Sequence, residues 1–273
     1  EVIKRDFVAG EYVWTGFDYI GEPTPWNGTG KGAQGTWPSP KNSYFGIIDT
    51  AGFPKDSYYF YQSQWNDEVN TLHILPAWNE DAVKKDSSGK VPVVVYTDAK
   101  KVELFFTDAK TGDKKSLGTK EFTQKQSNTQ GYTYQYYEGT DKSGTEHKNL
   151  YLTWQVPYKA GTISAVAYGQ DGQKISEEKL NGRTSVTTTG EKKNLKATVD
   201  RDTIAADGAD LTYVTVDVTD KDGNIIPNAE DKVSFKVEGE GKLVGIDNGR
   251  QDDHTSYQAN SRNAFAGKVL AIV

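Results

Sequence analysis

Glu11, Asp18 and Glu22 place three carboxylates within twelve residues, and Trp14 and Trp26 frame the last two of them. Tyr12, Phe17 and Tyr19 raise the aromatic count of Gly10–Trp26 to five. Flat apolar rings beside hydrogen-bonding groups suit a sugar, whose ring faces are apolar and whose edges are not. Cleaving a glycosidic bond also takes two carboxyl groups that flank it, one protonated and one ionised or nucleophilic. As a strand, Gly10 to Ile20 sets Tyr12, Trp14, Gly16 and Asp18 on one side and Glu11, Val13, Thr15, Phe17 and Tyr19 on the other. Glu11 is thereby separated from Trp14, so a complete acid and nucleophile pair is not expected in this stretch. The competing reading of the same residues is plain packing, because aromatic side chains dominate cores and interfaces.

Other chemistry has thinner support. Gly30-Lys31-Gly32-Ala33-Gln34-Gly35 matches a dinucleotide-binding spacing, but Trp37-Pro38-Ser39-Pro40 follows and forbids the helix that this motif requires. His73, His147 and His254 are far apart in sequence and are expected at strand or loop surfaces. There is no Gly-x-Ser-x-Gly elbow for a serine nucleophile, and with no cysteine there is no thiolate chemistry and no cysteine-based zinc site. Asp220-Lys221-Asp222-Gly223 opens like a calcium loop, yet Asn224-Ile225-Ile226-Pro227 lacks the later ligands, which leaves a turn. Asp200, Asp202, Asp207 and Asp210 are likewise expected in turns. No metal site and no cofactor are expected.

The elements that position these residues form a mostly β chain. The 273 residues suit about two domains, and 35% hydrophobic content favours several small β domains over one large core. A net charge of −6, from 32 basic and 38 acidic residues, argues against a nucleic-acid surface. No apolar run approaches the roughly 18 residues of a membrane span. Residues 1–66 offer one strand, a Gly/Pro/Trp-rich loop and one helix starting near Pro54, with Tyr58, Tyr61, Gln62 and Trp65 on one face. Such a pair cannot bury its own apolar faces, so this segment is expected to complete a larger structure. Residues 67–190 read as one β-sandwich, with strands at Asn70–Trp78, Val91–Thr97, Lys101–Thr107, Leu150–Val156 and Gly161–Tyr168 and a turn at Asp171-Gly172. Residues 191–273 read as a second sandwich, with strands at Leu195–Val199, Asp210–Asp220, Lys232–Glu238 and Lys268–Val273; the last run looks cut off.

The runs GEYVWTGFDYIGEPTPW and SYFGIIDTAGFPKDSYYFYQSQW resemble the end of the catalytic barrel in glycoside hydrolase family 2 β-galactosidases, closest to the large surface-attached enzymes of streptococci and similar Gram-positive bacteria. LHILPAWN and LTWQVPYKAGTISAVAYGQDG resemble the immunoglobulin-like domain after that barrel, and the ADGADL and DNG pieces of the last segment resemble the next sandwich. The resemblance implies a mostly β fold: a partial (β/α)8 barrel end over 1–66 (eighth strand, loop and last helix), then immunoglobulin-like β-sandwich domains over 67–190 and 191–273. It implies a retaining mechanism on terminal β-galactosides, with both working glutamates on barrel strands that would precede Glu1. The stretch is therefore expected to be inactive alone and to pair with the missing N-terminal part of the same enzyme. Trp14 matches the tryptophan that lines the galactose subsite, and Asp18, Glu22 and Trp26 would lie at its mouth. The implied setting is extracellular or at the surface of a Gram-positive bacterium. The alternative is a non-catalytic glycan-binding or spacer module of a bacterial surface protein.

Overall fold

The computed structural model describes residues 7–23, 39–126, 133–140 and 146–273. Trp26 and the Gly30–Gly35 motif lie outside the described residues. Contacts divide the chain into two compact units, one made of residues up to Val13 with Asp56–Thr188 and the other of Trp14–Lys55 with Thr189–Val273. The segment 1–66 is thus shared between them.

In the first unit, helix α1 (Asp56–Trp65) precedes β1 (Asn70–Leu75), β2 (Lys90–Thr97), β3 (Lys101–Asp108), β4 (Lys114–Glu121), β5 (Thr123–Gln126), β6 (Thr133–Thr140), β7 (Glu146–Asn149), β8 (Leu152–Pro157), β9 (Gly161–Tyr168), β10 (Leu180–Asn181) and β11 (Ser185–Thr187). Two four-stranded sheets, ordered β10-β1-β2-β8 and β11-β9-β3-β4, make the sandwich, and β5-β6-β7 form a smaller sheet. Strict alternation builds the core. Val91, Val93 and Val95 of β2, Val102, Leu104 and Phe106 of β3 and Ile163, Ala165 and Ala167 of β9 all point inward. Trp78 is fully buried there, and its indole N–H donates to the Lys159 carbonyl at 2.9 Å. Pro92 is tolerated in β2 because β1 pairs only with Val94–Thr97, so at Pro92 the strand has β8 alone beside it.

The helix starts two residues after Pro54, but its packing face differs from the expected one. Tyr59 stacks on the His73 ring at 3.9 Å, Phe60 meets Tyr96 edge-on, and Gln62 and Ser63 are buried, whereas Trp65 is exposed. Polar anchors set this rotation. Asp56 in the first turn lies 2.8 Å from His73 Nε2, and the Thr71 hydroxyl donates to Gln62. His73 is therefore not a surface residue: it is buried in β1, where its Nδ1 accepts the Arg183 backbone N–H at 3.2 Å. That acceptance assigns the ring proton to Nε2, facing Asp56. Burial holds the His73 pKa below its usual value.

The second unit adds β12 (Asn194–Val199), β13 (Tyr213–Thr219), β14 (Lys232–Ser234), β15 (Gly245–Asp247), β16 (Ser261–Asn263) and β17 (Lys268–Ile272). Their sheets are β12-β13-β17-β15 and β14-β16. Val216 and Val218 of β13 meet Val233, Ala264 and Val269 in a small core. The acidic turns fold as turns. The Asp220 carboxylate accepts the N–H groups of Asp222 and Asn224, and Asp207 accepts those of Ala209 and Asp210.

Candidate functional site

Gly10–Ile20 is not a continuous strand. Among the described residues it has no neighbour to ladder with along its length, and only Phe17 (to Ile48) and Ile20 (to Asn42) form bridges. From Trp14 onward it runs against Asn42–Asp49 of the same unit. Ile47 and Ile48 donate to the Thr15 and Gly16 carbonyls at 3.1 and 3.0 Å, and Asp18 donates to the Ile48 carbonyl at 2.8 Å. Gly46 makes this approach possible, because a β-carbon there would sit 2.2 Å from the Asp18 nitrogen. A cis peptide bond joins Trp14 to Thr15.

The alternation expected to unite Trp14 with Asp18 breaks down here. Trp14 is 70% exposed, while the Asp18 side chain is fully buried. Asp18 is held by Lys55 at 2.6 Å and accepts the Gly46 N–H at 2.7 Å, with Ser43 Oγ and Gln251 Nε2 each 3.5 Å away. It braces the backbone of this segment and does not face solvent. Glu22 is exposed, adopts φ +44°, and accepts the Tyr19 hydroxyl. That hydrogen bond keeps the Tyr19 pKa above its ordinary value. Tyr19 in turn meets Trp14 edge-on at 6.4 Å and Phe45 at 5.9 Å.

Trp14, Tyr19, Phe45 and Glu22 therefore form the front of this segment, and the buried Asp18 is not part of it. Tyr19 and Phe45 escaped the sequence reading because a strand assumption put Tyr19 on the opposite face. The signal was available in the aromatic pair Tyr44-Phe45 flanked by Ser43 and Gly46. Chemically, the front offers an indole face for an apolar sugar surface and a phenol–carboxylate pair for hydroxyls. Among the described residues no second accessible carboxylate is placed beside Glu22, since Asp18 is buried. Glu11 is exposed and belongs to the first unit. Among the described residues no group of three His, Cys, Asp or Glu side chains is placed to hold a metal ion.

Residues 195–273 match glycoside hydrolase family 2 C-terminal domain 5, and residues 88–176 match a domain of unknown function, DUF4982. The chain is 35% identical over 272 residues, all but one of its own, to the β-galactosidase BoGH2A of Bacteroides ovatus, covering 26% of that protein. It is 33% identical over 263 residues to a putative β-glucuronidase of Formosa agariphila, covering 96% of this chain and 21% of the relative. Among solved structures, a β-glycosidase from Bacteroides vulgatus superposes on 94% of the chain, and 26% of its own, with TM-score 0.66 and 29% identity. The chain carries C-terminal domains of glycoside hydrolase family 2, with β-galactosidase and β-glucuronidase homologues. It spans about a quarter of the length of these curated relatives. None of the relatives named here is streptococcal.

Proposed function

We propose that this chain is the C-terminal part of a retaining β-galactosidase, contributing one wall of the sugar site through Trp14, Tyr19 and Glu22. The two working glutamates come from elsewhere in the native polypeptide, and residues 1–66 are the end of its (β/α)8 barrel. The observation that carries this reading is the exposed indole of Trp14 beside the Tyr19–Glu22 pair, in a chain whose full length aligns with a β-galactosidase. The Asp18–Lys55 pair and Gly46 hold that wall rigid from behind, so Trp14 is pre-positioned for a pyranose ring. Glu22 also favours a neutral sugar over a uronic acid, because a carboxylated substrate at Trp14 would face a like charge. Asp18 acts on substrate only through the backbone it braces, and Trp26 is proposed at the mouth of the site from resemblance alone. An extracellular, cell-surface setting belongs to the same proposal, resting on the resemblance to surface-attached enzymes.

The test is hydrolysis of a nitrophenyl β-galactoside by the purified 273-residue chain and by the native polypeptide. No turnover by the chain alone, with turnover by a native polypeptide several times its 30.2 kDa mass, is the expected outcome. Turnover by the isolated chain would overturn the reading.

A further inference from the structure

The Asp-Asn-Gly run 247–249 lies at the end of β15, and residues 49–50 of the Trp14 segment seat directly on it. The Thr50 hydroxyl donates to Asp247 Oδ2 at 2.8 Å. Asp49 spends Oδ1 on the backbone N–H groups of Ala51 and Phe53, both at 2.9 Å. Its other oxygen rests against Gly249, where a β-carbon would stand 2.1 Å from Oδ2. Gly249 also has φ +73°, a conformation that glycine and asparagine adopt readily. The turn is itself fixed from within. Arg262, 1% exposed, donates to Asp247 Oδ1 at 3.1 Å and to the Thr255 carbonyl at 2.5 Å. A second tie lies close by, where the Lys41 N–H donates to the Gln251 carbonyl at 2.9 Å.

The path from this turn to Trp14 is short. Asp49 follows Ile48 and Ile47, whose N–H groups donate to Gly16 and Thr15, and Thr15 follows Trp14. A displacement of Asp49 therefore moves the peptide groups that hold the Trp14 backbone in place. We propose that the Asp247–Gly249 turn is a positioning element for Trp14, making the second sandwich a working part of the sugar wall and not a spacer. It acts through Asp49 and Thr50 and touches no substrate itself. Its importance for catalysis rests on the galactosidase reading, but its effect on Trp14 does not.

The experiment uses the whole 273-residue chain labelled with 5-fluorotryptophan, with the Trp14 fluorine resonance assigned by its loss in Trp14→Phe. Gly249→Asn keeps the φ accessible and adds bulk against Asp49, so it is expected to shift the Trp14 resonance while those of Trp78 and Trp154 stay in place. Asp49→Ser shortens the opposing side chain while its hydroxyl still accepts a backbone N–H. Adding it to Gly249→Asn is expected to bring the Trp14 resonance back toward its original position. Thr50→Val, which removes the hydrogen bond to Asp247 without added volume, is expected to give a smaller shift and keeps the test decisive if Gly249→Asn unfolds the unit. An unmoved Trp14 resonance in Thr50→Val and Gly249→Asn, or a Gly249→Asn shift that Asp49→Ser does not reduce, would overturn the proposal. The resonance is read without sugar, so this result stands apart from whether the native enzyme cleaves galactosides.

Discussion

Arg262→Met is expected to destabilise the second unit by about 3 to 5 kcal/mol, the usual cost of leaving a buried charge network without one partner. The guanidinium is the centre of the 247–257 loop. It donates to Asp247 and Asp253 at 3.1 and 3.4 Å, where those side chains are only 10% and 12% exposed, and lies over the Tyr257 ring at 5.0 Å. Methionine fills much of the volume but leaves two carboxylates facing each other without a counter-charge. Arg262→Lys retains the charge and loses the fork that reaches Asp247, Asp253 and Thr255 together, so it should recover only part of the loss. Urea unfolding of the two variants against the parent checks this. A cost below about 1 kcal/mol for Arg262→Met would show that the carboxylates find other partners or water.

Asp49→Asn is expected to raise stability at neutral pH and leave it nearly unchanged in acid. Burial pushes the Asp49 pKa up from 3.8 to about 6, and the neighbouring Asp247 charge adds to the effect while Lys55 opposes it. Between those two values the folded state binds more protons than the unfolded one, so stability falls as pH rises through 6. The full difference corresponds to about 3 kcal/mol, present as stability below pH 3.8 and lost above pH 6. Asparagine keeps the oxygen that accepts the Ala51 and Phe53 N–H groups and carries no charge to desolvate. The unfolding midpoints of the two proteins should therefore diverge between pH 4.5 and 7.5, with Asp49→Asn higher at 7.5. Parallel pH profiles would show that Asp49 is not the titrating group.

What the sequence disclosed follows from how much surface each element buries. The strands of the first sandwich were legible because Val91-Val93-Val95 and Val102-Leu104-Phe106 alternate cleanly over a buried apolar core. β4, with the sequence KKSLGTKE, buries almost nothing on either face, so no hydrophobic period marks it; β5 and β7 are polar and short. Turns at Asp171-Gly172 and Asp222-Gly223 were legible because their chemistry is local. In the Trp14 segment, residue type alone picks out Trp14 and Glu22 as candidates, whereas the burial of Asp18 was not legible. That burial depends on Lys55 and Gly46, 37 and 28 residues away, and on a backbone that leaves the regular pleat after Trp14. His73 and the rotation of α1 escaped for the same reason, since Asp56 and Arg183 fix them through tertiary hydrogen bonds.

The proposed role of Trp14 as a sugar platform is tested most directly by the kcat/KM of the native polypeptide for a β-galactoside before and after Trp14→Ala. Losing a large apolar contact of about 1.5 to 3 kcal/mol should lower kcat/KM roughly ten- to a hundredfold. The unfolding midpoint should hold, because the indole is exposed and supports no core. An unchanged kcat/KM for the alanine variant would contradict the account.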